Sequence, residues 1–358
     1  MLWSLSTLSG CGDDAEPLDP CTVSRDAEGV LVVLSTNFEA SSLEAVAPGC
    51  TESTSNLVTL TGDAVLKVKD GEAIQVLNRG ATSSLVTIGE SFLVESEVPL
   101  AGCNAQEALP LENGDRFVTC YAEGSARLVS GESASVSTDL SVFDPDGIPQ
   151  MAGAARIGNR IYVALQRLDE GFAPRGPGLL AVIDAQTQTL VDTELATPEP
   201  DGIALPCDNP SGEILVEGTT LYLACSGNFS ANGNGGVVSV NTSNASTRIE
   251  ATDTELGGYP NGLARIGNAL FTLVAIPGAE PFTTLEMRAV RLLEDQAPET
   301  LYSAPGFSLA GLAVNSTTLF VGNRSSDGSE GIYPVDLASA SVGERISTDV
   351  PPFDLAVR

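Results

Sequence analysis

The chain has 358 residues, 42% of them hydrophobic, a composition that fits neither a disordered tail nor a membrane-spanning bundle. Seventeen Lys and Arg stand against 47 Asp and Glu, a formal net charge of −30, which repels nucleic-acid backbones and anionic lipid and leaves a solvated acidic surface, divalent cations or a basic partner as what it suits. No histidine is present, so Ser-His-Asp and Cys-His chemistry are excluded, and a zinc site would need cysteine or carboxylate ligands alone.

At the start of the chain, Leu8-Ser9-Gly10-Cys11 resembles the bacterial lipobox, in which a cysteine behind a small residue receives diacylglycerol. The acidic stretch Gly12 to Pro17 reads as the polar tether that follows such a cysteine. Only ten residues precede Cys11 and none is basic, which is shorter than a complete signal peptide. No apolar run approaches the roughly 20 residues of a spanning helix. Residues 1–28 are therefore expected to be signal and tether, with Cys11 lipidated and the lipid as the sole membrane contact. Asp does not follow Cys11, so no inner-membrane retention signal of the enterobacterial kind is seen, and the outer membrane is the expected location. Residues 29–358 are expected to form one domain.

Beyond residue 28 the chain repeats. Gly29 to Asn37 reads as one apolar strand with no hairpin partner before it. Hairpins of two apolar strands about a tight turn then follow at 64–77, 108–119, 153–164, 213–224, 262–273 and 311–322. The clearest copies begin Gly153-Ala-Ala-Arg-Ile-Gly-Asn, Gly262-Leu-Ala-Arg-Ile-Gly-Asn and Gly311-Leu-Ala-Val-Asn-Ser. A third strand comes after each hairpin, as at Ser84, Leu179, Val237 and Ile332, and then a polar fourth rich in Thr and Ser. The period of about 40 to 50 residues is that of a propeller blade, and no helical periodicity competes. The last residues, Asp354-Leu-Ala-Val, match Gly311-Leu-Ala-Val as a first strand with no second after it. Joined to Gly29–Asn37, they complete a blade from both termini and remove the open edge. The expected fold is all-β, a seven-bladed β-propeller with blades near 29–60, 61–102, 103–145, 149–198, 200–255, 257–304 and 306–348, closed by 349–358.

Six cysteines remain once Cys11 is set aside, an even number that suits disulfides in an oxidising compartment. Cys103 precedes Cys120 by 17 positions and Cys207 precedes Cys225 by 18, each pair flanking a hairpin. Cys21 and Cys50 are left to tie the N-terminal segment to the first blade. No C-x-x-C motif favours a metal instead.

This pattern resembles the YVTN/lactonase-type seven-bladed propellers, especially the envelope lipoproteins among them. The resemblance implies a fold that hosts binders, scaffolds and enzymes alike. It also directs attention to the face where first strands begin and second strands end, around the mouth of the central channel. On that face the sequence places Asp63, Asn261 and Asp354, with Asp201 in a preceding loop. Asn78-Arg79, Gln166-Arg167, Asn228 and Asn323-Arg324 fall at the ends of second strands. Leu77-Asn78-Arg79-Gly80 and Gly322-Asn323-Arg324-Ser325 are one motif in two blades. Its arginines suit a carboxylate or a glycan, or else pair with Asp63 and Asp354 and brace the ring. Asp63, Asp201, Asn261 and Asp354 suit Ca²⁺, which takes several oxygen ligands. The gluconolactonase-type and strictosidine-synthase-like propellers hold a metal in this region, although their histidine partners are missing here. Trp3 is the one tryptophan, so the tryptophan docking motifs of quinoprotein propellers are absent. The leading expectation is a monomeric, non-enzymatic lipoprotein of the cell envelope whose upper face binds a protein, peptide or glycan. The alternative is a Ca²⁺-assisted hydrolase or lactonase working at the channel mouth.

Overall fold

A computed structural model describes residues 21, 23, 29–68, 72–80, 82–89, 91–193, 201–280 and 283–358. Seven antiparallel sheets stand in a ring about a central channel. The strands nearest the channel are Ala64–Lys67, Ala105–Pro110, Met151–Ile157, Pro210–Glu217, Tyr259–Ile266, Leu309–Val314 and Pro352–Val357. Each is followed outward by strands whose burial falls with distance from the axis. In the first blade Leu31–Thr36 is buried at every position, whereas the outermost strand, Thr54–Thr61, alternates between exposed and covered residues. Second strands are sandwiched between neighbouring blades, which is why they read as unbroken apolar runs. Fourth strands face water on one side and take Thr and Ser.

The ring closes as the two incomplete ends require. Pro352–Val357 pairs antiparallel with Leu31–Thr36, with Leu31 opposite Val357 and Leu34 opposite Asp354. Gly29 N–H donates to the Arg358 carbonyl at 2.7 Å and Arg358 N–H to Val30 at 2.9 Å. One blade boundary moves. Ile203–Ala204 pairs with Leu179–Asp184 as the outermost strand of the fourth blade, so the fifth begins at Pro210 and not near residue 200. In the seventh blade the outer edge is completed by residues 342–346 through the bridges Val335–Val342 and Ile332–Ile346.

The glycine that opens the repeat has a steric reason. Gly311 sits at an irregularity of its inner strand with φ 73°, and a Cβ there would lie 3.0 Å from the Asp354 Cα of the neighbouring blade. At Gly153 a Cβ would meet the Gly212 carbonyl oxygen at 2.2 Å. Adjacent inner strands approach too closely at these levels for any side chain.

Three disulfides form, Cys21–Cys50, Cys103–Cys120 and Cys207–Cys225. Each of the latter two joins the loop before an inner strand to the end of the second strand, and each contributes about 3 kcal/mol on a loop-entropy argument. Among the described residues no helix is long and apolar enough to cross a membrane.

Candidate functional site: the upper face

The inner strands begin and the second strands end on one face, here termed the upper face. Its centre is a funnel of about 640 Å³, whose walls include Arg79, Gln166, Asn261, Arg324 and Asp354. Of the residues expected at the channel mouth, these line the funnel; Asn78, Arg167, Asn228, Asn323, Asp63 and Asp201 do other things.

Asn78 and Asn323 are buried, at 3% and 1% exposure. Asn78 donates to Ser84 Oγ at 2.9 Å, while Asn323 donates to the Tyr302 hydroxyl at 3.0 Å and accepts from Ser325 N–H at 2.8 Å. Both amides brace the turn and do not reach the rim. Arg167 adopts φ 57° and donates to the Pro177 carbonyl at 3.3 Å within its own loop. Asp201 precedes the outermost strand of the fourth blade, where its carbonyl accepts from Thr193, so it lies at the periphery. The sequence alone points to a loop before an inner strand, because the two-residue strand Ile203–Ala204 is too short to leave a pattern. Asp63 holds Arg79, whose Nε lies 3.0 Å from Oδ1. Asp354 is half-buried in the inner strand, where it accepts from Leu66 N–H at 2.9 Å and Leu355 N–H at 3.0 Å. It bridges two blades and does not pair with Arg324. Asp63, Asp201 and Asp354 thus sit in separate settings, with Asn261 on the funnel wall, and among the described residues no group of three or more acidic or sulfur ligands could hold a metal. The Ca²⁺ set read from the sequence is not assembled.

At the funnel floor stands a residue the sequence reading passed over. Lys67 Nζ lies 2.9 Å from Glu107 Oε2, and that carboxylate is 1% exposed. Burial alone would lower the lysine's pKa, but Glu107, Glu213 and Asp354 outweigh it and hold the ammonium well above its ordinary value. Burial pushes the Asp354 carboxyl up, against the opposing pull of Lys67 and the two amides.

Arg324 differs from the other cations of the mouth. Its guanidinium lies 4.5 Å over the Phe38 ring and 5.0 Å over Phe353, and Nη2 donates to the Thr36 carbonyl at 3.1 Å. Its Nε is buried with no partner, and none of the ion pairs among the described residues involves it. Burial lowers its pKa.

Beside the funnel runs a groove of about 710 Å³ among the loops of the fourth to seventh blades, lined by Phe172, Asn228, Phe229, Tyr259, Phe307 and residues 277–280, 283 and 284. Phe307 lines both cavities. Asn228 therefore faces the groove rather than the channel. Phe172 and Phe229 adopt φ 61°, a conformation that bulky residues avoid at a cost of about 1–3 kcal/mol. Their loops are pinned to hold it. Asp169 Oδ1 accepts from Gly171 N–H at 2.8 Å and Ala173 N–H at 2.9 Å, and Arg175 ties the loop to Asp144 at 3.0 Å. The Asp253 carboxylate accepts from Gly233 N–H at 2.6 Å and Gly235 N–H at 2.9 Å, so the Gly/Asn-rich loop is anchored. Phe229 then meets Tyr259 edge to face at 5.6 Å. Among the described residues the exposed phenylalanines, Phe38, Phe172 and Phe307, all lie on this face. A signal for them was present in the sequence: each follows or precedes a turn residue in an otherwise polar loop.

No family model matches the chain, and no curated protein matches it in sequence. Solved structures do share the fold. AztD from Citrobacter koseri is 13% identical, with a TM-score of 0.51, over 93% of this chain and 98% of that one. A putative 6-phosphogluconolactonase from Bacteroides uniformis is 12% identical, with a TM-score of 0.57, over 92% and 99%. A streptogramin B lyase is 11% identical, with a TM-score of 0.55, over 82% and 86%. At these identities the likeness is one of architecture, and it makes the chain a seven-bladed β-propeller.

Proposed function

We propose that this chain is a non-enzymatic binding propeller of the cell envelope. Its upper face holds a protein, peptide or glycan partner, and a lipid on Cys11, which lies outside the described residues, anchors it. One observation carries the reading: Phe172 and Phe229 are held in a costly backbone conformation by pinned loops and both line an open apolar groove. Strain of this kind persists where the surroundings enforce it, and a groove lined with aromatics is what a partner's apolar side chains require. Three disulfides suit an oxidising compartment. The structural neighbours include a lactonase and a lyase by name, so the fold by itself is open to catalysis. A Ca²⁺ hydrolase, however, needs several oxygens about one point, and Asp63, Asp201 and Asp354 occupy three separate settings.

The test is binding across an array of peptides and oligosaccharides, with the wild type beside Phe172→Asn/Phe229→Asn. Ligands held by the wild type should return chemically unchanged and weaken at least about tenfold in the double variant. Phe172→Asn alone should raise the denaturation midpoint, because Asn tolerates the left-handed region better. Binding that ignores both phenylalanines, or turnover of a bound compound, sinks the proposal. The anchor is tested separately: Cys11→Ser should move the protein from the membrane fraction to the soluble one.

A further inference from the structure

We infer that the upper face takes a ligand with a carboxylate on an apolar body, the carboxylate at Arg324 and the body over Phe307 toward the aromatic groove. This rests on the binding reading above and names the chemistry of the ligand. The chain carries 47 acidic residues against 17 basic ones, and of the described arginines only Arg167, Arg324, Arg345 and Arg358 stand in none of the ion pairs. Arg324 is the one among these four that stands on the wall of the open funnel. Of its five N–H donors, one is used on the Thr36 carbonyl. The Phe38 and Phe353 rings cover the guanidinium without neutralising it, and they strip away the water that would otherwise weaken a contact with an anion. Its lowered pKa has the same origin, a charge partly desolvated and uncompensated.

The second half of the ligand follows from connectivity. Arg324 N–H donates to the Ser308 carbonyl at 2.7 Å, which fixes the 306–308 loop beside it. Phe307, 63% exposed, projects from that loop and lines both funnel and groove. A group bound at Arg324 therefore has an apolar surface next to it on one side. On the other side, Arg79 is occupied by Asp63 and Lys67 by Glu107, so the anion is directed to Arg324. Two sources share this chemistry, a free aryl or alkyl carboxylic acid and the C-terminal carboxylate of a peptide ending in apolar residues.

The probes are phenylacetate against phenylacetamide, and N-acetyl-Phe-Gly-Phe with a free C-terminus against its C-terminal amide, titrated into the full chain by calorimetry. Each acid should bind at least about tenfold more tightly than its amide, the effect of a charge-assisted bidentate contact. Arg324→Gln should erase that ratio, and Ser308→Asp, which offers Arg324 an internal carboxylate, should erase it as well. Arg324→Lys should keep part of it. Phe172→Asn/Phe229→Asn should weaken acid and amide equally and preserve the ratio. Tighter binding of the peptide acid than of phenylacetate assigns the C-terminus as the source, and the reverse order assigns the free acid. Equal binding of acid and amide, or discrimination that survives in folded Arg324→Gln, overturns the inference. If those outcomes come with binding that still depends on Phe172 and Phe229, the partner-binding reading stands without the carboxylate.

Discussion

Two copies of one turn end differently on this face. In the second blade Arg79 N–H donates to the Asp63 carbonyl at 2.7 Å, and in the seventh Arg324 N–H donates to the Ser308 carbonyl at the same distance. Ala64 pairs with Asn78 as Leu309 pairs with Asn323. The backbones are thus equivalent, and the divergence comes from the residue just before each inner strand. In the second blade it is an aspartate whose carboxylate takes up Arg79, and in the seventh it is a serine whose buried hydroxyl has no partner. Where a repeat is geometrically exact, one side chain at an equivalent position decides whether an arginine braces the ring or stays open to a ligand.

The largest expected effect concerns the third cation of the funnel, which tests whether neutralisation by neighbours is what separates Arg324 from the rest. Lys67→Met leaves Glu107 buried without a countercharge and should cost about 3–5 kcal/mol in denaturant unfolding. Adding Glu107→Leu should recover most of that loss. The pH dependence has a definite sign. The folded pKa of Lys67 lies above its ordinary value of 10.5, so its stabilisation is fully present below that pH and lost as pH rises beyond it. Asp354 has the same sign in a lower window, since its raised pKa makes the folded chain the better proton binder just above 3.8. Its contribution therefore declines as pH climbs from there. A wild-type advantage over Lys67→Met that does not shrink above pH 10.5 would contradict the assignment.

A smaller effect separates the two asparagines. Asn323→Ala strands the Ser325 N–H and removes a donor from the Tyr302 hydroxyl, whose pKa burial pushes up to about 12. It should cost about 2 kcal/mol, and Asn78→Ala, whose side-chain carbonyl is already unpartnered, about 1 kcal/mol. Equal losses in thermal or denaturant unfolding would mean that the two turns are not braced differently.

What was legible in the sequence followed periodicity. The blades, the closure of Leu31–Thr36 on Pro352–Val357 and the two hairpin disulfides all leave regular spacings, because each is set by backbone geometry that recurs, while Cys21–Cys50 followed as the remaining pair. Ile203–Ala204 has too few residues to show an alternation, and with it went the position of Asp201. The site was half legible. Arg79 and Arg324 were found by their shared motif, but the partner of each depends on whether position 63 or 308 carries a carboxylate within reach, which spacing does not express. Lys67 looked like any strand residue, since the charges that converge on it come from Glu107, Glu213 and Asp354 on other strands. The groove phenylalanines lie in irregular loops, where no period applies.

The smallest effect is the sharpest test of the comparison. Asp63→Ser converts the second blade to the state of the seventh. The ion pair it removes is solvent-exposed, with the Asp63 side chain 47% accessible, so the stability change should stay below about 1 kcal/mol. What should change is binding. Arg79, 5.9 Å from the Phe353 ring that Arg324 also approaches, becomes a second funnel cation without a carboxylate. Phenylacetate should then titrate to two sites, the new one weaker because Phe38 does not cover Arg79 and the groove does not adjoin it. A single unchanged site in folded Asp63→Ser would mean that an uncompensated arginine on this rim is insufficient to bind an anion. The two rings over Arg324, rather than its missing partner, would then be the feature that sets the seventh blade apart.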